Sequence, residues 1–213
     1  MDQREARTLN LPPLALFLQA PSGLGSLLAK VERRYNGAAT LQLRFEQQYR
    51  GGGQPSRTES GMLFLKKPGR MRWEYRHPEG KLFVSDGKDG WFYSPAMNQV
   101  EKSSMKTTED LRAPLAFLMG RLDFSRDFRD FQAVAEGELT RIVGVPKSAR
   151  SPYREVTFWV AAGGELQQVR VLGQDGALMH FRFSEERLAV PINEELFRFR
   201  VPAGAEVVER GGI

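Results

Sequence analysis

The side chain most out of place in this sequence is Lys67. Read with a period of two, the stretch from residue 63 to 76 puts Leu63, Leu65, Lys67, Met71, Trp73 and Tyr75 on one side. Phe64, Lys66, Arg70, Arg72, Glu74 and Arg76 take the other. An ammonium in the apolar row is expensive to desolvate alone, so Lys67 is expected to have a polar partner. The acids offer little else. They occur as the adjacent pairs Glu109-Asp110, Glu185-Glu186 and Glu194-Glu195, each inside a polar segment. Acid–base chemistry needs carboxyls in a cleft that perturbs their pKa, so these pairs read as solvated surface charge. Asp86 and Asp89, in DGKDG, suit a turn. His77 and His180 lie far apart and there is no cysteine, which argues against a metal site and rules out a disulfide framework. No nucleophile elbow, phosphate loop, dinucleotide fingerprint or HExxH pair occurs. The expectation is a protein that is not an enzyme and uses no cofactor.

The elements that must position Lys67 are strands. HPEG at 77–80 and DGKDG at 86–90 are turn signals separating Leu82-Phe83-Val84 from Trp91-Phe92-Tyr93, so the stretch from 63 to 102 reads as an antiparallel meander with one apolar face. Before it, Leu24, Leu27, Leu28, Val31 and Tyr35 recur at helical spacing over 22–36, and Asn36-Gly37 supplies a stop. Leu41, Leu43, Phe45, Gln47 and Tyr49 then alternate with Gln42, Arg44, Glu46 and Gln48 as a half-buried strand. GGGQPSRTES, 51–60, reads as a turn or mobile loop. Residues 107–122 change period: Pro114 suits a first helical turn, with Leu115, Leu118, Met119 and Leu122 on one face. Five further strands are expected at 128–134, 138–145, 153–160, 166–171 and 178–183.

Several coupled motifs carry a resemblance. The run KKPGRMRWEY, then a proline, LFVSDGK, GWFYSP, NQVEK, and an Ala-Pro opening an apolar helix together resemble the LolA family, periplasmic carriers of outer-membrane lipoproteins. The similarity is strongest over 61–120 and extends from the first helix to the closing PAGAEVVE. It implies a fold that is mainly β with some α: a single incomplete, unclosed antiparallel β-barrel, here of about ten or eleven strands, with helices as a lid over an apolar cavity. The 107–122 helix matches a lid helix. Leu43, Phe45, Leu65, Met71, Trp73, Tyr75, Leu115, Leu118 and Met119 would line the cavity. The resembled carriers have an arginine at the place of Lys67, hydrogen-bonded to the lid when no lipid is bound. Lys67 would be the latch here, with an ammonium in place of a planar guanidinium. The implied partners are acylated lipoproteins, an inner-membrane lipoprotein-releasing ABC transporter, and an outer-membrane acceptor where one exists, with the carrier a periplasmic monomer. A glycolipid or other acyl ligand, or a lipoprotein-sensing module of the same fold, are the alternatives.

Composition fits this organisation. A chain of 213 residues that is 41% hydrophobic can bury one sizeable core, and 21–213 reads as a single LolA-like domain. Residues 1–20, with a short apolar run from Leu9 to Leu18 interrupted by Pro12-Pro13, read as an export signal or a flexible tail. The run is too short to cross a bilayer. A net charge of +5 invites nucleic acid, yet alternation sends most basic residues to the face opposite the aromatics, whereas base stacking needs both on one surface. No nucleic-acid partner is expected. Burying one CH₂ stabilises by about 0.8 kcal/mol, so an acyl chain of about sixteen carbons offers about 12 kcal/mol before ordering costs. Met71, Met97, Met105, Met119 and Met179 are candidates for an adaptable lining.

Overall fold

The alternating segments become the strands of one sheet. The computed structural model describes residues 23–51, 53–105 and 122–209. Its first helix, α1 (Leu24–Gly37), leads into β1 (Thr40–Gly51), β2 (Gln54–Lys66), β3 (Arg70–His77), β4 (Leu82–Asp86), β5 (Asp89–Ser94) and β6 (Gln99–Ser104). A single helical turn, α2 (Phe124–Asp127), opens the second run: β7 (Phe128–Glu136), β8 (Leu139–Pro146), β9 (Tyr153–Ala161), β10 (Leu166–Gly173) and β11 (Leu178–Leu188). A 3-10 turn at Glu194–Phe197 precedes β12 (Glu206–Glu209).

Among the described residues the twelve strands form one sheet in the order β12-β6-β5-β4-β3-β2-β1-β11-β10-β9-β8-β7. Strand β1 joins the two meanders, pairing β2 on one side and β11 on the other. The end strands β12 and β7 do not meet, so the barrel is unclosed. The count exceeds the ten or eleven expected, because PAGAEVVE adds β12, the only strand among those described that pairs in parallel, alongside β6.

One reading of the sequence is corrected here. The segment at 51–60 is not a loop: β2 begins at Gln54, and Thr58 and Arg57 face Gln48 and Tyr49 of β1. Its glycines, proline and polar residues disfavour a strand, but β1 runs to Gly51 and offers backbone partners along its whole length, and tertiary pairing overrides weak local preference. Farther along β2 the register shifts between Ser60 and Gly61. A Cβ at Gly61 would lie 2.0 Å from the Glu74 carbonyl oxygen, so only glycine permits this approach to β3.

The inner face of the sheet carries the main core. Leu41, Leu43 and Phe45 of β1, Leu63 and Leu65 of β2, and Met71, Trp73 and Tyr75 of β3 are all buried there, with Phe158, Val169 and Phe181 from the second meander. Val31 and Tyr35 of α1 join this core and Leu24, Leu27 and Leu28 pack against it. The outer face is covered differently. Lys66 and Arg70 both bind the Glu194 carboxylate, and Arg72 Nη1 donates to the Leu196 carbonyl at 3.3 Å. The basic row opposite the apolar one is thus half-buried under the C-terminal segment, apart from the exposed Arg76. Trp91 stacks on Phe199 on the same side, at 6.0 Å between ring centroids.

Candidate functional site

Lys67 lies where β2 ends and α1 closes. Its Nζ donates to the Tyr35 carbonyl oxygen at 2.6 Å, and its backbone N–H to Ala39 at 2.9 Å. The last carbonyls of a helix have no partner within it and form the negative end of its dipole, so an ammonium is well placed there. Burial lowers the Lys67 pKa below the ordinary lysine value. The polar partner required by its position in the apolar row is therefore a helix terminus.

The same half of α1 is held by contacts from four of its residues. Tyr35 donates its hydroxyl hydrogen to Glu186 Oε2 at 2.5 Å and accepts from the Leu166 N–H at 2.9 Å. Arg34 donates to the other oxygen of that carboxylate from Nε and Nη2, at 2.9 and 2.6 Å. Burial, and then the Glu186 carboxylate, push the Tyr35 phenol far above its ordinary value, so it remains a donor throughout the physiological range. Asn36 exchanges two hydrogen bonds with the backbone of Leu122, at 2.8 and 2.7 Å. Glu32 accepts from the Phe124 N–H at 2.8 Å. Glu186 is consequently no solvated surface acid, since its side chain is only 13% exposed. Glu194 by contrast stays at the surface, its side chain 53% exposed, and its carboxyl is held below the usual carboxylate range, first by the hydrogen bond from Lys66. Glu109-Asp110 lies outside the described residues.

Beyond Lys67 the inner row is a continuous apolar strip. Met71, Trp73 and Tyr75 of β3 oppose Leu65, Leu63 and Gly61 of β2, which in turn oppose Leu41, Leu43 and Phe45 of β1. Phe45 meets Trp73 and Tyr75 edge-on, with centroids 4.7 and 5.1 Å apart, and Trp73 lies 5.7 Å from Phe181. The Trp73 indole N–H points at the Met71 sulfur. The six expected lining residues on strands, Leu43, Phe45, Leu65, Met71, Trp73 and Tyr75, are thereby brought together, each no more than 3% exposed. Leu115, Leu118 and Met119 lie outside the described residues, as does most of the expected 107–122 helix. Of the other methionines, Met179 is buried and Met105 packs against the core, but Met97 is 63% exposed at the β5–β6 turn and lines nothing. Met119 is again outside the description.

Residues that alternation could not reveal are Tyr35, Asn36 and Glu186, because their partners are remote in sequence. Gln47 was visible as an amide in an apolar row, the same kind of misfit as Lys67. No described helix is long and apolar enough to cross a membrane.

An unclosed sheet, an apolar inner strip and a cation at its end bear directly on how this chain compares with known proteins. The family model for "Outer membrane lipoprotein carrier protein LolA" matches residues 36–200. The chain belongs to the LolA family. Among its relatives are proteins named outer-membrane lipoprotein carrier protein. One from Nitrosospira multiformis is 28% identical, covering 88% of each chain. Another, from Chromobacterium violaceum, is 27% identical over 94% of this chain and 95% of its own. A third, from Methylobacillus flagellatus, is 31% identical over 70% of this chain and 71% of its own. The fold is also similar to that of an uncharacterized conserved protein from Thermus thermophilus, with a TM-score of 0.53, 16% identity and coverage of 89% of this chain and all of that one. Membership in the LolA family makes this a carrier protein by family, with the inner strip and Lys67 as its candidate site.

Proposed function

We propose that this LolA-family protein is a periplasmic carrier that takes the acyl chains of lipoproteins into its apolar interior and delivers them from the inner to the outer membrane without catalysis. The observation that carries this reading is the inner strip: six large apolar side chains on three adjacent strands, facing a helix whose end is tied to the sheet by polar contacts. An interior held this way can part along the polar contacts and accept hydrocarbon in exchange for the side chains it separates. Each buried CH₂ of the ligand contributes about 0.8 kcal/mol to that exchange. Lys67 is the latch in this reading. Its hydrogen bond to Tyr35 favours the closed form, so its loss favours the loaded one. The partners are a transporter that supplies the lipoprotein and an acceptor that receives it, and the carrier acts as a monomer.

The test is a loading assay with a triacylated lipoprotein in proteoliposomes that contain its releasing transporter. Loading is expected to bring the lipoprotein into the soluble fraction in complex with this protein. Met71→Glu, which places a carboxylate in the apolar strip, is expected to abolish recovery. A lipoprotein that stays in the membrane with wild-type protein, or that is carried equally by Met71→Glu, contradicts the reading.

A further inference from the structure

The inner strip is polar at both ends. At the end away from Lys67, β1 places Gln47 between Phe45 and Tyr49, with the side chain turned inward and 4% of the residue exposed. Directly across on β2 is Glu59, equally buried, which accepts both carboxylate hydrogen bonds from Lys81 Nζ at 2.7 and 2.6 Å. Arg57 Nε also lies 3.3 Å from Glu59. Lys81 Nζ in turn sits 4.4 Å from the centre of the Tyr75 ring, at the edge of the aromatic group that contains Phe45 and Trp73. Hence the polar cluster abuts the apolar strip.

Gln47 is only half satisfied. Its Nε2 donates to the Met179 sulfur at 3.4 Å, on the β11 side. Its Oε1, on the other branch of the amide, has no hydrogen-bond donor among the described residues. A thioether sulfur is a weak acceptor and never a donor, so it fixes which branch faces β11 and leaves the carbonyl oxygen as the open one. Glu59 cannot supply a donor while ionised, and its own oxygens are taken by Lys81 and Arg57. A buried carbonyl without a donor is rare in folded proteins and marks a place where a partner is missing.

We propose that Gln47 is a ligand-reading residue: its side-chain carbonyl accepts the N–H of an amide-linked acyl group, with the Glu59–Lys81 pair fixing the polar end of the site. The inference rests on acyl carriage as proposed above and names the class of acyl ligand preferred. An amide-linked chain carries one N–H at the junction of hydrocarbon and headgroup, whereas an ester-linked chain has only acceptors there. With its hydrocarbon along Phe45, Trp73 and Met71, such a ligand brings its N–H to the level of Gln47. The strip from Gln47 to Ala39, which lies beside Lys67, spans eight residue steps of β1 and its approach, about 26 Å at 3.3 Å per residue. That exceeds the about 15 Å of one leaflet's hydrocarbon, so the distance between the two polar ends matches the length of an acyl chain.

The experiment compares two probes that differ by one atom: the ethyl ester of N-palmitoylglycine, and its analogue in which an ester oxygen replaces the amide N–H. Each is titrated against the full-length protein. The wild type is expected to bind the amide about five- to tenfold more tightly, the gain from one buried hydrogen bond. Without an acceptor, the better-hydrated amide would bind no better than the ester. Gln47→Met, which keeps the volume and the contact to Met179, is expected to remove the preference while leaving the ester's affinity within about twofold. Equal binding of both probes by the wild type overturns the inference, as does a preference that survives in Gln47→Met. Failure of both probes to bind overturns acyl carriage itself, and this inference with it.

Discussion

Strand β3 shows two different ways of covering a sheet. Its inward side chains, Met71, Trp73 and Tyr75, sit in one apolar core shared by both meanders and α1. Its outward side chains, Arg70 and Arg72, are covered by the C-terminal segment through an ion pair to Glu194 and a bond to the Leu196 carbonyl. The inner face gains from area removed from water, which has no directional requirement, whereas the outer face depends on individual contacts at the edge of solvent. A face of the first kind can exchange its neighbours for a ligand of the same chemistry. One of the second kind holds a single register. The difference explains why carriage is assigned to the inner strip and scaffolding to the outer row.

The comparison breaks first at Trp73. Trp73→Ala should lower unfolding stability by about 3–5 kcal/mol, and Arg72→Ala on the opposite face by about 1 kcal/mol, measured by urea denaturation. Similar losses at both would mean that the two faces are covered alike. The next effect concerns what closes the inner face. Tyr35→Phe removes one bond to Glu186 and leaves the buried Leu166 N–H unpaired, for an expected loss of about 2 kcal/mol. Lys67→Leu should change stability by less than about 1 kcal/mol, because the lost hydrogen bond is offset by relief of a desolvated ammonium. Ligand retention should instead lengthen about fivefold as the closed form loses its latch, read from the off-rate of a bound lipopeptide. Unfolding with unchanged retention would make Lys67 a purely structural residue.

Smaller effects belong to the outer face. Glu194→Gln should leave the core intact and speed amide hydrogen exchange at Leu196 and Arg198, in the 3-10 turn it anchors; raising salt should do the same to the wild type. The smallest is a pH effect at His180, which contacts Gln168 Oε1 at 2.9 Å and lies over Trp159. Burial, then Arg182, Arg170 and Arg50, outweigh Glu46 and lower its pKa below the ordinary value. The unfolded chain therefore binds the proton first as pH falls. The contribution of His180 is complete above about pH 6.5 and is lost as the pH falls below it. His180→Gln should flatten that part of the stability profile.

Much of this was legible in the residues. Alternation placed all six strand residues of the inner row correctly, because a strand with one buried face has a period that sequence displays directly. The same alternation identified Lys67 as needing a partner, although not that the partner would be a helix carbonyl. What stayed hidden depends on distant pairings. Glu186 meets Tyr35 across 151 positions, and Glu194 meets Lys66 across 128, so adjacency to another acid said nothing of either. The polar stretch before Gly61 concealed a strand for the same reason, its partner β1 being the cause. Gln47 stood in its apolar row, but whether its oxygen is paired depends on neighbours from β2 and β11 that are remote in sequence.

The central claim, that acyl chains occupy the inner strip, is best tested through the three tryptophans. Trp73 lies within the strip, Trp91 stacks on Phe199 outside it, and Trp159 donates to Glu136 on the outer side of β9. A lipopeptide with brominated acyl chains would be bound to the protein and the fluorescence of each tryptophan read in variants that retain only that one. Strong quenching of Trp73, with Trp91 and Trp159 unaffected, is the expected result. Bound lipopeptide that leaves Trp73 bright, or that quenches an outer tryptophan instead, would contradict the account.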